Sequence, residues 1–78
     1  MRSQLSLNIL YDRDKGLCWI CLLLNKPAYV KRKDASRDHY IAQSEGGSDD
    51  YENLRLAHKS CNSKRGTRTI EELLNEGL

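Results

Sequence analysis

The chain has no phenylalanine, a single tryptophan (Trp19) and only three cysteines among its 78 residues. With so few large aromatic side chains and many charged ones, the core is expected to be thin. A chain of this size buries only about 60% of its unfolded surface and generally needs a staple: disulfides, a metal or a partner. Three cysteines cannot close a disulfide framework, and disulfide-built secreted miniproteins carry a higher cysteine density. Long hydrophobic runs are missing too. Met1 to Leu10 lacks the apolar stretch of a signal peptide, and no segment approaches a membrane span, so the expectation is no membrane partner. A reducing, cytoplasmic setting fits, and there closely spaced cysteines are more often metal ligands than disulfides.

The excess of one sign of charge is also small overall, at a net +2, but charge is unevenly distributed. Residues 26–39 hold five basic side chains (Lys26, Lys31, Arg32, Lys33, Arg37) against two acidic ones. Residues 55–68 hold Arg55, Lys59, Lys64, Arg65 and Arg68 with no acid, whereas residues 40–54 carry Glu45, Asp49, Asp50 and Glu52 with no base. Two basic segments around a polar loop suit a polyphosphate partner, because Lys and Arg displace condensed counterions. An ordinary solvated surface would show the same counts.

With no internal repeat, linker or low-complexity tract, residues 1–78 read as one domain. Residues 3–14 have helical apolar spacing through Leu5, Leu7, Ile9 and Leu10, and Gly16 lies where a helix would stop. Residues 18–30 read as a metal-binding turn followed by a short apolar stretch, with Asn25-Lys26-Pro27 as a turn. Residues 37–42 and 54–57 have strand character, separated by a Gly-rich loop at 44–50. A short helix is expected from about His58 to Gly66. Another is expected from Thr69, where Thr69 and Glu72 have capping-box spacing and Ile70, Leu73 and Leu74 form one stripe.

Two pairs with metal-ligand spacing frame the middle: Cys18-x-x-Cys21 and His58-x-x-Cys61. Together they make the four sulfur and nitrogen ligands that zinc takes in a tetrahedron. The 36 residues between the pairs exceed a two-Cys two-His finger but suit two knuckles clamping an inserted substructure. A redox Cys-x-x-Cys would need a thioredoxin-like parallel sheet for which the chain has no room. Structural zinc supplies about 10–16 kcal/mol of apparent binding free energy in small domains, more than a core this thin can.

Between the pairs run Arg37-Asp38-His39-Tyr40-Ile41-Ala42-Gln43-Ser44-Glu45-Gly46-Gly47 and then Asn53-Leu54-Arg55-Leu56-Ala57-His58-Lys59-Ser60-Cys61-Asn62-Ser63-Lys64-Arg65-Gly66. This closely resembles the HNH endonuclease motif over residues 18–66, in a version whose last metal-binding position is Asn62. Ala42 departs from the family, which frequently has proline there. The resemblance implies an α+β, ββα-metal fold with flanking N- and C-terminal helices, acting on DNA to leave 5′-phosphate and 3′-hydroxyl ends. It further implies His39 as general base, Asp38 and Asn62 as ligands of a catalytic Mg²⁺ or other divalent ion such as Mn²⁺, and a structural Zn²⁺ on Cys18, Cys21, His58 and Cys61. Asn53 would tie the Gly-Gly loop to the strands. Lys31, Arg32, Lys33, Arg37, Lys64, Arg65 and Arg68 are the expected nucleic-acid contacts.

The chemistry agrees with these residue types. An imidazole titrates near neutrality, and general-base help contributes about 10²–10⁴ in rate. Asp and Asn oxygens suit a hard cation acting as Lewis acid. Taken singly, each residue has an unremarkable reading: a surface histidine, an Asp paired with Arg37, a turn Asn at 53, a capping Asn at 62. Two questions stay open at this level. Adjacent strand residues face opposite ways, so either the strand is irregular at Asp38-His39 or Asp38 approaches from the side. His58 lies four residues before Asn62 and could serve either metal. A catalyst of phosphodiester hydrolysis, as a monomer or weak dimer, is the leading function. The alternatives are a zinc-stabilised nucleic-acid-binding module without catalysis, and an accessory subunit of a phage DNA-packaging machine such as a terminase.

Overall fold

The computed structural model describes residues 6–78. It contains four short helices, α1 (Leu7–Arg13), α2 (Trp19–Leu23), α3 (Lys59–Arg65) and α4 (Ile70–Glu76), and two strands, β1 (Ala35–His39) and β2 (Leu54–His58). The strands pair antiparallel from Ala35↔His58 to His39↔Leu54 without interruption. The architecture is α+β: a hairpin running into α3, with helices before and after it. No helix among the described residues is long and apolar enough to cross a membrane.

The first helix is shorter than its apolar spacing predicts. Ser6 caps it, its hydroxyl accepting from the Asn8 backbone N–H, while the Leu5 end of the expected segment lies outside the described residues. Leu10 is the one fully buried residue of this helix, and Ile9 is exposed. At the other end of the chain the expected capping box is present: Thr69 Oγ1 accepts from Glu72 N, and Glu72 Oε1 accepts from Thr69 N. Leu73 reaches the core from there, but Leu74 is 57% exposed, so the apolar stripe of α4 is narrower than its sequence suggests.

Residues 18–30 hold a helix that the sequence reading missed. Cys18 is the N-cap of α2, which buries Trp19 and Ile20. The chain then turns back so that Cys18 N donates to Ala28 O and Val30 N to Gly16 O, closing the knuckle as a small loop. Leu54, Leu56 and Ala57 of β2 join Leu10, Ile20, Val30, Ala35 and Leu73 in one apolar cluster. This core is small, as the composition demands.

The strand expected at residues 37–42 is shifted, to Ala35–His39. The shift has a local cause. Beyond His39 the backbone is taken up by Asn53: Tyr40 N donates to Asn53 O, Ile41 N to Asn53 Oδ1, and Asn53 Nδ2 donates to Ile41 O and Ser48 O. One side chain therefore closes the connection between the strands. Gly47 is also fixed by this closure, since a Cβ there would lie 1.7 Å from the carbonyl oxygen of Ile41. Ala42 has φ −58°, within the range a proline ring imposes, so the backbone holds that angle without the ring.

Candidate metal centres and catalytic cleft

The hairpin brings the two ligand pairs together. Cys18 and Cys21 sit on the first turn of α2, His58 ends β2, and Cys61 lies one turn into α3. The ligand atoms of all four lie within 4.8 Å of one another. Cys21 Sγ is 3.9 Å from Cys61 Sγ, and His58 Nδ1 is 3.7 Å from Cys21 Sγ and 3.6 Å from Cys61 Sγ. A tetrahedron with sulfur about 2.3 Å from zinc has S–S edges of roughly 3.8 Å. The spacing is that of a zinc cage, and these four residues can hold the ion.

His58 belongs to this group. Its Nε2 is 3.0 Å from Tyr29 O, an acceptor only, so Nε2 carries the proton and Nδ1 turns its lone pair to the sulfurs. Such an outer partner fixes the tautomer and orientation of a metal-binding histidine.

Crowding of three thiols shows in their acidities. Burial and the charge of Cys18 push the Cys21 thiol up to about 12. Burial together with Cys18 also raises Cys61. Cys18 goes the other way: burial opposes its ionisation, but N–H groups of Cys21 and His58 outweigh burial and lower it. A divalent cation reverses this mutual repulsion and takes all three as thiolates.

A cleft of about 320 Å³ lies beside α3, and Asp38, His39 and Asn62 all border it. Strand pairing is regular through His39, so no bulge brings the two neighbours together. Asp38 instead reaches the cleft from the core side. It is 7% exposed, and Oδ2 accepts from Trp19 Nε1 (2.9 Å) and Arg65 Nη1 (3.0 Å). His39, the last residue of β1, is half-buried, with Nε2 2.6 Å from Asp49 Oδ1. Asn62 is anchored through Nδ2, which donates to Ser36 Oγ and Arg37 O. Among the described residues, the bonds that fix Asp38 fall on Oδ2 and those that fix Asn62 fall on Nδ2. Asn53 is not at the cleft but in the loop closure described above.

The expected phosphate contacts separate into two groups. Lys31, Lys33, Arg37 and Lys64 are exposed. Arg65 is a correction to the sequence reading: it is 2% exposed and its guanidinium is consumed internally. Besides Asp38 it donates to His39 O (2.6 Å), Tyr40 O (2.9 Å) and Arg68 O (2.9 Å). Its cation also lies 5.1 Å from the Trp19 ring centroid. Arg68 likewise spends its donors on the backbone of Lys64, Arg65 and Gly77, where it closes the end of α3. Arg32 is exposed but engaged with α1, donating to Asn8 Oδ1 and lying 4.2 Å from the Tyr11 ring centroid.

Sequence reasoning missed Trp19, Arg65 as the partner of Asp38, and Asp49. Trp19 carried a signal in hindsight, because a buried indole N–H needs an acceptor. Asp49 carried none that separates it from Asp50 or Glu52.

A model of the HNH endonuclease family matches residues 18–68, which include both ligand pairs and every residue bordering the cleft. No match is found among curated proteins or among solved structures.

Proposed function

The chain belongs to the HNH endonuclease family, and from that premise we propose that it hydrolyses DNA phosphodiester bonds with His39 as general base and one divalent ion on Asp38 and Asn62. The observation that carries the reading is the convergence of Asp38, His39 and Asn62 on one cleft, each anchored by a different element. His39 takes a proton from water, the resulting hydroxide attacks phosphorus, and the bond to the 3′ oxygen breaks. Solvent protonates the leaving oxygen, so the ends are 5′-phosphate and 3′-hydroxyl. A bound Mg²⁺ or Mn²⁺ would supply Lewis-acid stabilisation of the phosphate and the leaving oxygen. The residues present fit such an ion, because both available donors are hard oxygens.

Zinc on Cys18, Cys21, His58 and Cys61 has the separate duty of holding α2 to the hairpin. Exposed Lys31, Lys33, Arg37 and Lys64 would meet the phosphate backbone, which all sequences share, so these contacts carry no base readout. The non-catalytic binding module has no use for an aligned Asp38, His39 and Asn62. The test is conversion of supercoiled plasmid by the zinc-loaded protein across a series of added divalent ions. Nicking should require added Mg²⁺ or Mn²⁺, and Asn62→Ala should raise the ion concentration needed. Salt-dependent DNA binding without cleavage under any ion would favour the binding module instead.

A further inference from the structure

His39 has two ring nitrogens, and in the neutral ring only one carries the lone pair that can take a proton. His39 Nε2 lies 2.6 Å from Asp49 Oδ1, and the same oxygen accepts from Gln43 Nε2 at 3.2 Å. His39 borders the catalytic cleft and Asp49 does not. Gln43, which shares that oxygen, borders the cleft beside His39, so Asp49 meets the ring from the rim of the site.

We propose that Asp49 is a positioning residue which holds His39 as the Nε2–H tautomer and so makes Nδ1 the atom that takes the proton from water; this rests on His39 being the general base. An ionised carboxylate can only accept hydrogen bonds. A neutral imidazole facing it must place its proton on the facing nitrogen and its lone pair on the other. The two carboxylate roles are thereby divided: Asp38 offers an oxygen to a cation, and Asp49 sets a tautomer from outside the cleft.

The loop is built to deliver this group. Asn53 Nδ2 donates to Ser48 O at 2.7 Å, fixing the residue before Asp49. Gly47 seats the loop against the backbone of Ile41 and Ala42, where its own N–H donates to Ala42 O. Ser48 Oγ accepts from Asp50 N on the other side of Asp49. The Asn53 and Gly-Gly features then act on catalysis through Asp49, as well as by closing the hairpin. When the ring takes its second proton, the carboxylate faces the imidazolium and stabilises it, the service an aspartate gives a general-base histidine in other hydrolases.

The experiment pairs a spectroscopic readout with a kinetic one. Long-range ¹H–¹⁵N spectra of the zinc-loaded wild-type protein should show neutral His39 protonated at Nε2. Asp49→Asn, whose amide can either donate or accept, should mix the tautomers. It should also lower kcat for plasmid nicking about 10–100-fold, as loss of an outer partner typically does, with KM little changed. Asp49→Glu should recover part of the loss, which a merely structural role for the loop would not produce. His39 protonated at Nδ1 in the wild type overturns the proposal whatever the variants do. So does Asp49→Asn nicking at the wild-type rate while His39→Ala is inactive. Nicking that survives His39→Ala overturns both this and the reading beneath it.

Discussion

Replacing Arg65 by alanine should cost far more stability than any surface arginine. Its side chain is 1% exposed and that of Asp38 9%. Truncation would leave the Asp38 carboxylate buried with the Trp19 N–H but no cation. Breaking a buried pair from one side costs about 3–5 kcal/mol. The carbonyls of His39, Tyr40 and Arg68 lose a donor at the same time. Total stability of a domain is about 5–15 kcal/mol, so the loss is a large share of it. At about 4–8 °C per kcal/mol for a chain this size, Tm of the zinc-loaded protein should fall by about 12–40 °C. Thermal melts monitored by circular dichroism read this directly. Lys64→Ala, one residue away but exposed, should stay within about 0.5 kcal/mol of wild type. Neutralising the stranded partner in an Arg65→Met, Asp38→Asn double variant should recover part of the loss. An Arg65→Ala protein that melts with wild type and binds DNA more weakly would refute the reasoning, and would make Arg65 the phosphate contact its sequence suggested.

Three further outcomes follow from the zinc cage and the loop. Strong chelation, or Cys21→Ala, should abolish the cooperative melt, because the apparent binding free energy of structural zinc, about 10–16 kcal/mol, matches the whole stability of such a domain; unchanged circular dichroism after chelation would contradict this. Without metal the raised Cys21 and Cys61 thiols do not bear on folding below their ordinary value of 9.0, where they are protonated folded or unfolded, and oppose it as pH climbs past that value. Zinc takes thiolates and reverses the sign, so the loaded protein should gain stability with rising pH and lose it in acid, and calorimetric titration at pH 7 in several buffers should show net proton release on loading. Gly47→Ala forces a Cβ against the Ile41 carbonyl, so it should lower nicking far more than Gly46→Ala, where nothing lies within 4 Å of the added carbon and only the φ of +88° is strained; equal activity of the two variants would contradict the account of the loop.

Much of the site could be read from the chain because its signals are local. Ligand spacing places Cys18 with Cys21 and His58 with Cys61 before any tertiary contact is known, and the Thr69–Glu72 cap is a matter of one helical turn. What could not be read depends on distant partners. Arg65 looks like Lys64 in sequence. Only the burial of Asp38 and Trp19 beneath the hairpin makes one an interior cation and leaves the other in water. The helix at Trp19–Leu23 is five residues long, too short for a period to declare itself. Asp49 sits in an acidic loop whose members differ only in where the Asn53 closure points them.

The central claim is that one cleft performs phosphodiester hydrolysis with His39 as its base. Nicking of supercoiled plasmid by zinc-loaded protein in Mg²⁺ or Mn²⁺, with His39→Ala alongside, tests it most directly. The account predicts ion-dependent nicking by the wild type and a loss of about 10²–10⁴-fold in the variant, with its melting curve retained. Nicking by His39→Ala at the wild-type rate would contradict it.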